Sequence, residues 1–226
     1  ASTSASWEKP IAIALWVWLT GAVIALLLSI ARCVVFLSRL KGTACPIDPG
    51  LETVLKQLVS RLGIKRQVKL MVSSLPVGPA VIGFRRPTIL LPEMLFRDRT
   101  PEEWEPLLAH ELLHVRRGDL AIACWQTVSQ ACWWFHPLVR WANACLTRQT
   151  ELCCDEEVLS ELQIPPAKYA RCLLDVLEEK QLLRSVPAFP GVRPLSVTAS
   201  RLEKIMKCEH GCRRSPWWCW GIFLIL

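Results

Sequence analysis

The chain has 226 residues, 52% of them apolar, and a formal charge of +7. That length suits one or two domains with a real core. The charge argues against a nucleic-acid binder, because the basic residues fall between apolar segments (Arg32, Arg39 and Lys41; Lys65, Arg66 and Lys69; Arg85 and Arg86) and not along an aromatic-interleaved stripe. Eleven cysteines, several inside apolar runs, read as thiols in a reducing compartment and not as a disulfide framework. The first residue is Ala1 and the last lie in an apolar run, which reads as a piece of a longer protein.

Residues 11–31 carry no charge and are long enough to cross a bilayer as a helix. Trp16 and Trp18 lie near one end, and Arg39 and Lys41 follow the other, which puts the C-terminal end in the cytoplasm by the positive-inside rule. Residues 45–63 predict a linker and a helix, with apolar residues from Leu51 to Leu62 at helical spacing and Gly63 as the stop. Residues 66–92 predict short strands, including a hairpin around Gly83 and Arg85-Arg86-Pro87. Such a strand offers an edge on which an extended substrate can pair.

Residues 101–118 predict a helix. Thr100 is its N-cap, Pro101 its first residue, Glu103 completes a capping box, and Gly118 closes it. Residues 120–147 are a second apolar stretch. They predict a helix pair broken near His136-Pro137 and partly at the membrane interface, with Trp125, Trp133, Trp134 and Trp141 as anchors. A full span there would separate the candidate metal ligands across the membrane. Residues 148–181 predict one or two further helices broken at Pro165-Pro166, residues 185–215 a basic, loop-rich stretch, and Trp217–Leu226 the start of another span.

The chemistry concentrates in His110-Glu111-Leu112-Leu113-His114. On a helix, residues i and i+4 share a face, so the two imidazoles can meet one tetrahedral zinc ion. Glu111 is offset by roughly 100° and can reach a water molecule as general base. A catalytic zinc takes a third protein ligand. The other histidines, His136 and His210, are poor candidates, so a carboxylate is the natural choice. Glu151 in RQTELCCDEEVL is the candidate, with Asp155 one turn on and able to hold a ligand histidine through its other ring nitrogen. Read alone, this segment fits an ordinary acidic helix start with solvated charges better, Glu156 and Glu157 among them. Arg148 and His136 are candidate helpers at the site. Cys208, His210 and Cys212 do not make a second metal site, lacking a matching ligand pair.

AHELLHVRRGD, WWFHPLVRW and RQTELCCDEEVL, with PAVIGFRRPTILLPEML upstream, resemble the BlaR1/MecR1-type membrane zinc metallopeptidases, the family of the β-lactam-sensing receptors. The resemblance runs from about residue 77 to 160, with an echo in SRLEKIMK near residue 201. It implies His110, His114 and Glu151 as zinc ligands, Glu111 as the base, and Asp155 behind a ligand. It implies an α+β, mainly helical integral membrane protein with a zincin-like (gluzincin) helix core and a small sheet or hairpin beside the active site. The expected layout is a transmembrane helix and flank over 1–41, a cytoplasmic protease domain over 42–215, and a further span from 216. The expected activity is cleavage of a protein substrate, such as a transcriptional repressor or the chain itself, at a bacterial inner membrane. A prenyl-protein or quality-control membrane protease is the rival enzyme. A receptor with a non-catalytic zinc module is the rival of another class. The family usually has more spans before the zinc domain and carries an extracellular sensor after it, so β-lactam sensing does not transfer to this chain.

Overall fold

The computed structural model describes residues 5–75, 78–93, 100–180, 192–194 and 199–207. The protein is mostly helical around a small mixed sheet. Helix α1 (Ala5–Leu40) comes first, then strand β1 (Ala44–Cys45), α2 (Pro49–Arg61), β2 (Lys69–Ser73), β3 (Ala80–Ile82) and β4 (Thr88–Pro92). Helices α3 (Pro101–Arg117), α4 (Asp119–Cys132), α5 (Pro137–Leu162) and α6 (Pro166–Lys180) follow, then β5 (Val192–Pro194) and α7 (Ala199–Lys207).

The sheet order is β1-β2-β4-β3-β5. The β3–β4 hairpin is antiparallel, and Gly83 turns it at φ +86°. A Cβ at Gly83 would meet the carbonyl oxygen of Arg86 at 2.9 Å, so the turn requires glycine. Strand β4 pairs in parallel with β2, a crossover that the hairpin signal does not reveal. The far edge of β3 is taken by β5 of the same chain. The substrate-pairing edge expected within residues 77–92 is therefore occupied, and β5 replaces it as the outer strand.

Strand alternation divides the core in two. Ile89 and Leu91 face the large cluster built by α2, α3, α5 and α6, whereas Leu90 faces Ala80 and the C-terminal turns of α1, at Phe36 and Leu40. One end of α1 is thus packed on the back of the sheet. From Lys9 the same helix is apolar and largely exposed, and among the described residues it is the one helix long and apolar enough to cross a membrane.

Helix α3 starts as its sequence predicts. The backbone N–H of Thr100 donates to Glu103 Oε2 at 2.9 Å, and Gly118 ends the helix in the left-handed region. Because α3 runs through the middle of the core, Trp104, Leu107, Leu108, Leu112 and Leu113 are all buried. The break at residues 133–136 separates α4 from α5, where the sequence places it. The expected division between an apolar pair ending at Thr147 and new helices from Arg148 is corrected: α5 runs unbroken from Pro137 to Leu162, since no breaker lies between. The loop-rich reading of 185–215 is corrected at α7. Cys208, His210, Cys212 and the apolar run from Trp217 lie outside the described residues.

Candidate metal centre

Helix α3 brings His110, Glu111 and His114 into the core, and α5 brings Glu151 and Asp155 against them. All five are buried. One ligand atom from each of His110, His114 and Glu151 lies within 4.8 Å of the others. The Nε2 atoms of the two histidines face each other at 3.1 Å. Glu151 Oε2 is 3.5 Å from His110 Nε2, and Glu151 Oε1 is 3.6 Å from His114 Nε2.

The outer nitrogens fix what those Nε2 atoms can be. Asp119 Oδ2 accepts from Nδ1–H of His114 at 2.7 Å, since a carboxylate only accepts. Tyr169 gives its one hydroxyl proton to Asp155 Oδ1 at 2.7 Å, so its oxygen accepts from Nδ1–H of His110 at 3.0 Å. Asp155 Oδ1 itself is 3.3 Å from that nitrogen. With both Nδ1 positions protonated, each ring, when neutral, turns its lone pair inward at Nε2, and Arg201 Nη2 lies 3.5 Å from that of His110. Two such lone pairs at 3.1 Å repel unless a cation, either a metal ion or a second proton on His110, lies between them.

The distances fit a tetrahedral ion. Ligand bonds of 2.0–2.1 Å give tetrahedral edges of about 3.4 Å, close to the three separations observed. The charge fits as well. Four carboxylates are buried here (Glu111, Asp119, Glu151 and Asp155) against one buried guanidinium, Arg201. Arg117, partly exposed, adds a contact of 3.6 Å to Asp119. Buried charge must be balanced, and a divalent cation would make up the shortfall.

Arg201 holds the two carboxylates of α5 in place. Its Nε and Nη2 donate to Asp155 at 2.7 and 2.6 Å, and its Nη1 donates to Glu151 Oε2 at 2.8 Å. Burial pushes both carboxyl pKa values up, but hydrogen bonds and charge from His110 and Arg201 outweigh it and leave both lowered. For His110, burial opposes protonation, and its contacts with Asp155 and Glu151 raise it to about 9. Burial beside Asp155 pushes the Tyr169 hydroxyl well above its ordinary range, so it stays a neutral donor.

The structure thus brings together His110, Glu111, His114, Glu151 and Asp155, and leaves two candidates out. Arg148 is exposed on α5. His136 begins α5 among Trp133 and Phe135, with ring centroids 6.4 Å from each, and about 21 Å of helix separates Pro137 from Glu151. Glu157 is not a solvated charge but sits beside Arg116 and Arg117. Sequence reasoning missed Asp119, Tyr169 and Arg201. Asp119 stood five residues past His114 in the quoted motif, and Tyr169 is the only tyrosine in the chain. Arg201 gave no local signal beyond the SRLEKIMK echo.

A family model described as BlaR1 peptidase M56 matches residues 1–203. The regulatory protein BlaR1 of Bacillus licheniformis is 26% identical over 173 residues, which are 76% of this chain and 29% of that protein. The methicillin resistance MecR1 protein of Staphylococcus aureus is 29% identical over 98 residues, 43% of this chain and 17% of that protein. An uncharacterized protein of Aquifex aeolicus is 35% identical over 68 residues, 30% of this chain and 62% of that protein. The chain thus spans less than a third of the two regulatory proteins it matches. With nine-tenths of its length inside the family model, the chain belongs to the BlaR1-type M56 peptidases, a metallopeptidase family.

Proposed function

We propose that this chain is the protease segment of a membrane-bound zinc endopeptidase that cuts a protein substrate in regulated proteolysis. His110, His114 and Glu151 hold the metal, and Glu111 is the general base. The observation that carries the reading is the buried triangle of ligand atoms, with the two Nε2 atoms 3.1 Å apart and Glu151 3.5 and 3.6 Å from them. A zinc ion held there supplies Lewis-acid polarisation of the scissile carbonyl and lowers the pKa of water towards neutrality. Glu111, one residue round the helix from His110, takes the proton of the attacking water and returns it to the leaving amine. Asp119, and Asp155 with Tyr169, keep each imidazole in the tautomer that offers Nε2 inward. Arg201 steadies Glu151 and Asp155. Helix α1 anchors the domain in the bacterial inner membrane as part of a multi-pass protein, with Arg39 and Lys41 on the cytoplasmic side.

The test uses the whole chain in nanodiscs, with metal content and cleavage of a fluorogenic casein read together. The wild type should hold one zinc per chain and cleave. Glu111→Gln should hold the same zinc and cleave about 10²–10⁴-fold more slowly, the usual worth of proton-transfer catalysis. A chain that takes up no zinc at equimolar metal, or a Glu111→Gln variant cleaving at the wild-type rate, would refute the assignment.

A further inference from the structure

Helix α4 and the first half of α5 form a hairpin that is built inside out. Gln126, Ser129, Asn143 and Thr147 meet between the two helices, and Gln130 is the exposed exception. Gln126 Nε2 donates to the Asn143 carbonyl at 3.0 Å and to Thr147 Oγ1 at 3.1 Å. Asn143 Nδ2 donates to the Gln126 carbonyl and to Ser129 Oγ, both at 3.2 Å. The apolar side chains point outward, with Trp125, Leu138 and Trp141 more than 60% exposed and Phe135 53%. No Asp, Glu, Lys or Arg occurs from Leu120 to Val139. A soluble domain does not leave so large an apolar surface bare. In hydrocarbon the pattern is stabilising, because polar groups must find partners within the protein while apolar ones face lipid.

The hairpin lies along the apolar part of α1. Trp18 Nε1 donates to the Cys132 carbonyl at 2.7 Å, and Trp134 Nε1 donates to the Trp18 carbonyl at 3.4 Å. Gly21 faces the Trp134 indole so closely that a Cβ would collide with the ring. The tip therefore reaches the level of Trp18. From Arg32 to Trp18 is about 21 Å of helix, against about 30 Å of hydrocarbon. The tip stops short of the far surface, while α1 continues past it towards Lys9. Arg140, the one charge in residues 120–147, sits a turn from the tip and donates to the Trp134 carbonyl at 3.2 Å. Its long stem suits snorkelling towards the far headgroups.

We infer that residues 119–147 form a re-entrant helical hairpin whose outer face is covered by the acyl chains beside α1. The inference rests on α1 being a membrane span, as proposed above. It solves a problem of topology, because a hairpin that enters and returns leaves Glu151 on the same side as His110. It also makes α5 a single rod with its first turns in lipid and its middle in the metal centre, so the active site stands at the membrane surface.

A genetically encoded benzophenone side chain tests this in the full chain in native membranes. It is placed singly at Trp125, Trp141, Leu27 of α1 and Lys56 of α2, and photo-adducts are read by intact mass. Phospholipid adducts at 125 and 141 in yields comparable to 27, with none at 56, are expected. Adducts at 27 without adducts at 125 and 141 would overturn the hairpin and leave the α1 span standing. Cross-linking of 125 or 141 to a second protein chain would overturn it too, by naming a different occupant. Loss of adducts at 27 as well would remove the span, and the inference with it.

Discussion

Helix α5 passes through two environments, and its halves obey opposite rules. From Thr150 to Leu162 the buried face carries Glu151, Asp155, Leu152, Cys154 and Val158, with the charges held by Arg201 and the histidines. From Pro137 to Leu146 the apolar side chains are outside, and Asn143 is the buried one. Both halves satisfy the same requirement, that a polar group away from water must have a partner. With the hairpin in the bilayer as inferred above, what differs is the medium on the outer face. The contrast separates the two functions of one helix: the first half positions the protein relative to α1, and the second half positions the metal centre. Substitutions in either half should therefore have separable effects.

The largest expected effect is in the second half. Glu151→Ala removes a ligand, and dialysed protein should retain little or no zinc. Asp155→Ala and Asp119→Ala each release one imidazole from its partner and should weaken zinc by about 10–100-fold, the usual worth of groups behind a ligand. Leu138→Ala, in the first half, should leave zinc content unchanged. Full zinc in Glu151→Ala together with its loss in Asp155→Ala would move the ligand by one helical turn. Equal loss in Leu138→Ala would erase the contrast between the halves.

A smaller effect should come from the seam between α1 and the hairpin. Small residues at helix contacts in membranes let neighbours approach closely, and Gly21 has no room for a Cβ beside Trp134. Gly21→Leu overpacks that contact and should cost about 1–3 kcal/mol, read as a lower Tm of the full chain in detergent. Adding Trp134→Ala should restore most of the loss, as a coupled pair requires. Zinc content should not change. If Gly21→Leu and Trp134→Ala instead destabilise additively, the two residues do not share a contact.

How legible each region was in the sequence follows from the range of its interactions. The start and stop of α3 lie in Thr100, Glu103 and Gly118, all local, and these signals could be read directly. So could the break at Pro137 and the turn at Gly83. The pair His110 and His114 is one helical turn, and the linkage to Glu151 came through family resemblance. The parallel pairing of β2 with β4, the closure of the β3 edge by β5, and the arrival of Arg201 from α7 are long-range events with no periodic trace. Arg148 was attractive as a helper because it is near Glu151 along the chain. The guanidinium at the site belongs to Arg201, 50 residues away, while Arg148 is exposed to solvent.

The smallest effect expected is a pH slope in the metal-free protein, and its sign follows from the centre's own groups. His110 is raised from its ordinary 6.5 to about 9. A raised group contributes stability that is fully present below 6.5 and is lost as pH rises through 9. Glu151 and Asp155 are lowered. Their contribution is present above the ordinary carboxyl range and fades only as pH falls below it. Chelator-treated protein should therefore be most stable between roughly pH 5 and 6.5 and should melt progressively lower towards pH 9. In that state the proton on His110 occupies the gap between the two Nε2 atoms and serves as the cation they need. Zinc must displace it, so zinc affinity should climb as pH rises from 6.5 to 9, by up to about tenfold per unit for one released proton. Melting curves at pH 6 and pH 8.5, with and without zinc, check both slopes. A chelated Tm that is higher at pH 8.5 would show that no proton bridges the histidines. His110→Gln should flatten the slope, because a glutamine has no proton to lose in this range.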